Sequence, residues 1–259
     1  MDPRPGASGV IAVEIAKNAP PDGYTLLLMS TAPFTMLPAL KPDLPYDPDK
    51  DFFALTRIAS MANVLAVHPS LGVGSVTDLV KLAKARPGQL NYGSSGNGSA
   101  LHLAGEMFNV LAGVKTVHVP YKGAPPALND LIAGQLQFMI VNSLEAMPHA
   151  KTGRIKVIAT TGAKPDPLLP ELPRVADVLP GFESTLWWGV GVPAKTPAVI
   201  VNKLHAEIVQ AVQSAEVREL LARQGAAAHT ESPAEFTAFM KAERERIARV
   251  GRQVGITLD

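Results

Sequence analysis

Apolar and polar positions follow two alternating patterns along the chain. Short apolar runs bounded by turn residues predict strands, and they cover residues 24–29, 55–60, 64–68, 90–93, 116–120, 136–141, 155–160 and 185–192. Segments with apolar residues at helical spacing predict helices, and they cover residues 9–18, 76–86, 99–112, 124–132, 143–151, 197–214, 216–224 and 233–253. Ser75 is predicted to cap the helix at 76–86, Ser232 with Glu235 the helix at 233–253, and Ser99 is among the residues that can cap the helix at 99–112. Pro197 is predicted at the first helical position of its helix. The run at 24–29 is continuous enough to predict a strand buried on both faces. Strands alternating with helices indicate an α/β protein whose sheets carry helices on both sides.

One turn between a predicted strand and a predicted helix consists almost entirely of small and polar residues. Its residues are Ser94, Ser95, Gly96, Asn97, Gly98 and Ser99. The first N–H groups of a helix have no partner within the helix, and the helix dipole adds partial positive charge there, so the turn is suited to an anion. An ordinary strand-to-helix turn with good capping residues explains the same pattern. The glycine spacing also resembles a dinucleotide loop, but no acidic residue follows at the position that holds a ribose, which favours a carboxylate.

Three further predicted strands end in polar residues that begin a helix. They are followed by Ser30–Thr31, by Tyr121–Gly123 and by Asn142–Ser143. Ligands of open α/β sheets bind beyond the carboxyl ends of the strands. Four polar turns at that end of their strands therefore predict a ligand site, although each turn by itself is also explained by helix capping.

Composition narrows the class of function. The chain has 259 residues, 47% of them hydrophobic, a formal net charge of +1 and no cysteine. This length suits two compact lobes, and the near-neutral charge argues against a nucleic-acid-binding surface. No apolar run reaches the length of a membrane span. Residues 1–6 contain no hydrophobic segment of a secretory signal.

The residues that acid–base or nucleophilic catalysis requires do not form a convincing set. Ser95 and His102 fall at the start of the same predicted helix, which leaves a hydrolase or transferase as one hypothesis, but no acidic residue is placed to orient the histidine. His118 alternates with valines on a strand, and His68 precedes a proline, so both are interpreted as structural. No histidine or carboxylate spacing indicates a metal site.

Several short motifs resemble those of a known family. They are Pro21–Leu27, Leu44–Pro48 with Asp51–Phe52, Gly88–Tyr92, Gly96–Ser99 with His102–Glu106, and His118–Gly123. Their order and spacing resemble the substrate-binding proteins of tripartite tricarboxylate transporters, the Bug family. The resemblance extends over nearly the whole chain.

The resemblance implies a type II periplasmic-binding-protein fold, with two Rossmann-like lobes around a cleft in the manner of a Venus flytrap. Lobe 1 is expected to comprise residues 1–92 and 194–259, and lobe 2 residues 93–193. Such proteins capture a small carboxylate, which is a dicarboxylate, a tricarboxylate or an aromatic acid, and deliver it to membrane permease subunits. The resemblance therefore implies a periplasmic receptor that is not an enzyme and that has no cofactor, no metal and no nucleic-acid partner. We expect a monomer, and a ligand sensor for a signalling partner remains an alternative.

Carried over position by position, the resemblance also implies a set of ligand-binding residues. They are Ser30, Thr31, Ser94, Ser95, Gly96, Asn97, Gly98, Ser99, His102, Tyr121, Lys122, Gly123, Asn142 and Trp187. A solvated role explains Lys122 equally well, and a core role explains Trp187 equally well. The family commonly has an aspartate where this chain has Val141, which disfavours an amino acid as ligand.

The chain departs most from the family at its front. The resemblance implies that the family begins with an export signal, a strand, a glycine-rich loop that grips the ligand, a helix and another strand, and none of these elements is found before the first predicted helix. At usual element lengths about 45 to 55 residues would precede the first residue. We therefore expect lobe 1 to be N-terminally truncated, with an unpaired sheet position.

Overall fold

The computed structural model describes residue 2, residue 4 and residues 7–41 and 43–255. The described chain forms two compact units. Unit 1 contains the described residues up to Ser60 and Leu186–Arg252, and unit 2 contains Met61–Thr185 and residues 253–255.

Strands and helices alternate along most of the chain. The strands are β1 (Leu27–Ser30), β2 (Phe52–Val67), β3 (Asn91–Ser94), β4 (Val117–Pro120), β5 (Phe138–Asn142), β6 (Lys156–Thr160), β7 (Thr185–Pro193) and β8 (Ala227–Ala228). The α-helices are α1 (Val10–Lys17), α2 (Leu37–Leu40), α3 (Val76–Ala85), α4 (Ala100–Ala112), α5 (Ala124–Ile132), α6 (Ser143–Lys151), α7 (Ala198–Gln213), α8 (Ala215–Arg223) and α9 (Pro233–Val254). A π-helix, Ala32–Met36, leads into α2.

The strands of the unit 2 sheet follow the order β4-β3-β5-β2-β6. The first three of them, β4, β3 and β5, are parallel. Strand β3 lies between β4 and β5 and is parallel to both. Residues 63–67 of β2 lie between β5 and β6 and are antiparallel to both. Because carboxyl ends of parallel strands meet at one edge of a sheet, the turns after β3, β4 and β5 share that edge.

Buried apolar side chains hold the helices of unit 2 against this sheet. Leu131 of α5 packs with Met139 and Val141 of β5, and all three side chains are fully buried. Phe108 of α4 is equally buried and contacts Phe138 with ring centroids 5.4 Å apart. The N-termini of α4 and α5 are thereby fixed beside the strands that precede them.

Unit 1 contains a sheet of different construction, in the order β1-β7-β2-β8. Strand β1 is antiparallel to β7, and Ser30 pairs with Trp188. The short strand β8 is antiparallel to the part of β2 that ends at Ser60. A core of aromatic and aliphatic residues covers this sheet, and its largest members are Phe34, Phe52, Trp187 and Phe236.

Two predicted strand features are wrong. The runs at 55–60 and 64–68 belong to one continuous strand, β2, because the intervening Met61, Ala62 and Asn63 are buried and keep extended backbone. The strand predicted to be buried on both faces is β1, in which Leu28 is 51% exposed. Only β7 pairs with β1 among the described strands, and one face of β1 remains in solvent.

The units divide at positions other than the predicted lobe boundaries. The first boundary follows Ser60 instead of Tyr92, and the second follows Thr185 instead of Pro193. The first boundary has no signal in the sequence, because the single strand β2 passes through it without a turn or a change in composition. Helix α3 and strand β3 consequently belong to unit 2.

Most helix starts agree with the predicted capping residues. Ser75 Oγ accepts a hydrogen bond from the backbone N–H of Asp78 and begins α3, and Ser232 with Glu235 forms the capping interaction that begins α9. Pro197 is the N-cap of α7, one position before its predicted place in the helix. Within the described residues, no helix combines the length and the apolar character that crossing a membrane would require.

Candidate functional site

The Ser94–Ser99 corner joins β3 to α4, and its own side chains hold its shape. Ser94 Oγ accepts a hydrogen bond from the backbone N–H of Gly96 at 3.1 Å, and Ser99 Oγ accepts one from the backbone N–H of His102 at 3.2 Å. Gly96 and Gly98 have φ values of 126° and 70°, which a glycine adopts without strain. The predicted cap of this helix at Ser99 is confirmed.

Several backbone donors of the corner have no protein acceptor. In the described part of the chain, the N–H groups of Ser95 and Asn97 make no hydrogen bond to protein atoms. The first-turn N–H groups of α4 at Ala100 and Leu101 precede the first possible intrahelical bond. Asn97 is exposed, and Ser95 is half-buried. The corner therefore offers donors and the positive end of a helix dipole to an anion.

Two histidines contact residues of the Ser94–Ser99 corner that flank these donors. The imidazole rings of His102 and His118 stack with centroids 3.8 Å apart and an interplanar angle of 9°. His102 Nδ1 accepts a hydrogen bond from the Gly98 backbone N–H at 3.0 Å. His118 Nε2 lies 2.6 Å from Ser94 Oγ. The pair thus contacts the corner at both of its ends.

A row of stacked aromatic rings continues from the histidine pair into the core of unit 2. Tyr92 stacks on His118 with ring centroids 5.0 Å apart, and Phe138 stacks on Tyr92 at 5.5 Å. The Tyr92 hydroxyl donates a hydrogen bond to Glu106 Oε1 at 2.5 Å. Since Tyr92 is 1% exposed, its ring is held in the core and supports the His118 ring that stacks on it.

Burial keeps both histidines neutral near pH 7. It lowers the pKa of His118 to about 4, and the adjacent His102 adds to this lowering while Glu106 opposes it. Burial also lowers the pKa of His102, again against the attraction of Glu106. The pair is therefore uncharged in the free protein, although Glu106 is close enough to influence it.

The turn after β4 lies beside the Ser94–Ser99 corner. The backbone N–H of Tyr121 donates to the Ser94 carbonyl at 3.2 Å, and Gly123, at φ 107°, precedes the first residue of α5. The Tyr121 hydroxyl donates to Asp130 at 2.6 Å, and burial together with this bond raises the pKa of Tyr121 to about 12. Lys122 is exposed and makes no ion pair within the described residues.

The turn after β5 is occupied by contacts within unit 2. Asn142 Oδ1 accepts a hydrogen bond from the Leu144 backbone N–H at 2.8 Å, which caps α6. Asn142 Nδ2 lies 2.9 Å from the sulfur of Met61. Val141 is fully buried in the sheet, so the position of the family's aspartate is apolar here.

The candidate residues of unit 1 lie together in a separate group. Thr31 Oγ1 accepts a hydrogen bond from the Trp187 backbone N–H at 3.1 Å, and Ser30 ends β1 opposite Trp188. The Trp187 side chain is 0% exposed and meets Phe236 edge to face with centroids 5.4 Å apart. The structure thus places Trp187 in the core, and its indole Nε1 has no hydrogen-bond partner among the described residues.

The serine–histidine contact in unit 2 differs from the predicted one. Ser95 makes no hydrogen bond to His102 in the described structure, whereas the buried Ser94 contacts His118. His118 belongs to the corner, although sequence reasoning interpreted it as a purely structural residue. The signal that could have found it is its position two residues before the carboxyl end of a strand parallel to β3. No group of three or more described His, Asp or Glu residues is close enough to hold a metal ion.

Comparison with known proteins identifies a family and relatives along the whole chain. Residues 1–256 match the family described as the tripartite tricarboxylate transporter family receptor, TctC. A UPF0065 protein from the tcbD-tcbE intergenic region of Pseudomonas sp. (strain P51) is 34% identical over 248 residues, which are 95% of this chain and 74% of that protein. Protein BugT of Bordetella pertussis is 32% identical over 257 residues, which are 98% of this chain and 79% of that protein.

Solved structures of similar proteins support the same comparison. The structure described as R. palustris Rpa4515 with adipate has a TM-score of 0.77 and 36% identity, and the alignment covers 98% of this chain and 85% of that one. A TctC solute-binding protein from Polaromonas, solved without ligand, has a TM-score of 0.87 and 26% identity, with coverage of 96% and 85%. The predicted periplasmic-binding-protein fold is confirmed by this likeness and by the observed α/β architecture.

Proposed function

Because the chain belongs to the tripartite tricarboxylate transporter receptor family, we propose that it captures a small organic carboxylate and delivers it to the membrane permease subunits of such a transporter. The resemblance predicted from the sequence motifs is confirmed by the match over residues 1–256. The family consists of solute-binding receptors, which confirms the prediction that the protein is a receptor and not an enzyme.

One observation in unit 2 carries the proposal of a carboxylate ligand. The parallel strands β3, β4 and β5 are each followed by a helix that begins at the same edge of the sheet. Unpaired N–H groups and helix dipoles at one edge stabilise negative charge there. The Ser94–Ser99 corner has the most donors without a protein acceptor, and we assign the carboxylate to it.

The other candidate residues have more limited proposed roles. Gly123 and the N-terminus of α5 support the same carboxylate from the next strand, and Lys122 contributes an exposed positive charge. Asn142 is a weaker candidate because its side chain already caps α6. For Ser30, Thr31 and Trp187 of unit 1, a ligand-binding role rests on the family resemblance.

The chemistry of the ligand follows from the charge of the corner and from a relative. Rpa4515 is described with adipate, a linear dicarboxylate. In this chain, Val141 supplies no negative charge to pair with a ligand amine. We therefore propose a dicarboxylate, a tricarboxylate or an aromatic acid in preference to an amino acid. A receptor that serves a membrane permease acts outside the cytoplasmic membrane, and we propose the periplasm as its compartment.

Isothermal titration calorimetry tests the carboxylate assignment. We expect saturable binding of at least one acid among citrate, benzoate and the linear dicarboxylates from succinate to azelate. Hexanediol is the matched uncharged control for adipate and is expected not to bind. Native mass spectrometry of the protein as purified would show whether a small acid is retained. Failure of every acid to bind would overturn the proposal.

Binding by the Ser94–Ser99 corner is tested separately from binding by the protein. Asn97→Pro removes an unpaired backbone N–H of the exposed turn and is expected to weaken binding of the acid that the calorimetry identifies. A matched change, Glu171→Pro, removes the backbone N–H of another exposed turn residue of unit 2 that makes no hydrogen bond within the described residues. Equal loss of affinity in both variants would contradict the assignment to this corner.

A further inference from the structure

The two stacked histidines differ in their ability to accept a proton. His102 Nδ1 accepts the Gly98 N–H, and a proton on Nδ1 would replace this hydrogen bond by a clash between two donors. In the neutral ring the proton of His102 is therefore on Nε2. Protonation of His102 would break a contact that holds the Ser94–Ser99 corner together.

His118 has no such restriction, because its partner is a hydroxyl that can reverse its direction. Ser94 Oγ lies 2.6 Å from His118 Nε2 and 3.1 Å from the Gly96 carbonyl oxygen. With neutral His118 the hydroxyl can donate to Nε2. With protonated His118, Nε2–H donates to Ser94 Oγ and the hydroxyl proton turns to the Gly96 carbonyl. His118 Nε2 and the Ser94 hydroxyl therefore remain paired with each other in both states.

We propose that His118 takes up a proton when a carboxylate binds at the Ser94–Ser99 corner, so that ligand binding and protonation strengthen each other. This inference rests on the proposed function, since it requires the anion at the corner. The proton comes from solvent and adds to His118 Nε2, the nitrogen that accepts from the Ser94 hydroxyl in the neutral ring, and no covalent bond of the ligand changes. His118 is thus a positioning residue that sets the charge beside the ligand.

The groups around His118 act on its charge in opposite directions: burial and His102 lower its pKa, and Glu106 raises it. From α4 it faces His102 and Glu106, and from β3 it faces Tyr92. The ring of Tyr92 stacks on His118 with centroids 5.0 Å apart, and the face of a tyrosine ring stabilises a cation placed over it. Burial lowers the pKa of His118 in the free protein. A bound anion stabilises the protonated ring and thereby raises this pKa toward the physiological range.

The coupling has a defined sign and an upper limit. A negative charge beside the corner raises the pKa of His118, and by linkage the protonated protein binds the anion more tightly. Affinity for a fully ionised dicarboxylate should therefore increase as the pH falls from about 8 to about 6. One proton per ligand limits this increase to about tenfold per pH unit.

Calorimetry of the intact protein with adipate measures the proton directly. At about pH 6.5, where carboxyl groups with ordinary pKa values are ionised, the binding enthalpy is determined in buffers of different ionisation enthalpy. We expect the enthalpy to vary with the buffer in the direction of proton uptake, with at most one proton per adipate. A binding enthalpy that does not depend on the buffer would overturn the inference and leave the carboxylate receptor intact.

Three histidine variants locate the proton. His118→Gln keeps a polar atom near Ser94 Oγ and should abolish proton uptake while adipate still binds at about pH 8. His102→Asn keeps an acceptor for the Gly98 N–H and should reduce uptake only partly. His68→Asn is the matched control, since His68 Nδ1 contacts Ser70 far along the chain from the corner, and uptake should remain unchanged. Undiminished uptake in His118→Gln would overturn the assignment.

NMR of the wild-type imidazole nitrogens provides a measurement that does not depend on the variants. Titration with and without adipate should show a higher pKa for His118 in the complex. A His118 pKa that is the same in both states would contradict the coupling. Absence of adipate binding at every pH would instead overturn the proposed function for this ligand and the inference with it.

Discussion

The corner after β3 in unit 2 and the corner after β1 in unit 1 have similar sequences but different structures. Each has a strand that ends in serine, followed by small or hydroxyl residues and a helical segment. In the Ser94–Ser99 corner, the backbone donors of Ser95 and Asn97 have no protein acceptor within the described residues. In unit 1, Thr31 Oγ1 accepts from the Trp187 backbone, and the Thr31 carbonyl accepts from Thr35 Oγ1 at 2.7 Å.

The neighbouring strand explains the difference. Strand β1 lies beside the antiparallel β7, which brings the backbone of Trp187 to the hydroxyl of Thr31. Strand β3 lies between parallel strands whose following turns end at the same edge and leave their donors free. The antiparallel neighbour thus engages the hydroxyl of Thr31, whereas the Ser94–Ser99 corner lies at an edge that it shares with the turns of two parallel strands.

Replacement of Trp187 is expected to have the largest effect and tests whether its corner serves packing. Trp187→Ala should lower the free energy of unfolding by about 3–5 kcal/mol, since a fully buried aromatic side chain leaves a cavity. Trp187→Phe, the matched control, should cost less because it retains most of the contact with Phe236. Urea unfolding measures both. Near-normal stability of Trp187→Ala with loss of adipate binding would instead make this residue a ligand contact.

Much of the fold was accessible from the sequence because local signals were consistent. The caps at Ser75, Ser99 and Ser232 and the apolar periods of their helices agree with the structure. The continuity of β2 was not accessible, since Asn63 looks like a break and is in fact 1% exposed. Its amide donates hydrogen bonds to Ser184, a partner far away in sequence that no local pattern reveals.

The location of the candidate site was predictable from the sequence, but the pairing of its serine with a histidine was not. Glycine and serine spacing located the Ser94–Ser99 corner, because capping chemistry is local. The contact of Ser94 with His118 depends on the register between β3 and β4, which pairs Tyr92 with His118. Sequence spacing alone favoured Ser95 with His102, since both lie near the same helix start.

Substitution of two capping serines in unit 2 distinguishes a loss of stability from a loss of ligand binding. Ser99→Ala and Ser75→Ala each remove a hydroxyl that accepts a backbone N–H, so each should lower the free energy of unfolding by about 1 kcal/mol. Only Ser99→Ala is expected to weaken adipate binding as well, because the cap of α4 also shapes the proposed anion site. Thermal unfolding and calorimetry of both variants give the comparison. Equal affinities would remove Ser99 from the site.

The pH dependence of stability tests the histidine pair without a ligand. The pKa of His118 is about 4 in the folded protein and about 6.5 when the chain is unfolded. The unfolded chain therefore binds the proton first, and the free energy of unfolding falls as the pH is lowered from about 6.5 to about 4. Urea unfolding of wild type and His118→Gln should show a shallower fall in the variant. Parallel curves would contradict a half-buried His118 that is neutral in the folded protein.

The smallest expected effect concerns the exposed cation beside the corner. Lys122→Met should weaken adipate binding by less than about fivefold at low salt, and the difference should fade at high salt, because exposed charges are screened. Lys115→Met removes another exposed lysine of unit 2 and is the control. If both variants bind like wild type at low salt, Lys122 is simply solvated.

The position of the indole rings determines which spectroscopic signal reports on binding. Both tryptophans of the chain, Trp187 and Trp188, lie on β7 in unit 1, whereas the stacked histidines and Tyr92 lie in unit 2. Intrinsic fluorescence excited at the indole band is thus a probe of the β7 environment. Ring-current shifts of the imidazole protons are the probe of the Ser94–Ser99 corner, and the two signals together distinguish a response of one unit from a response of both.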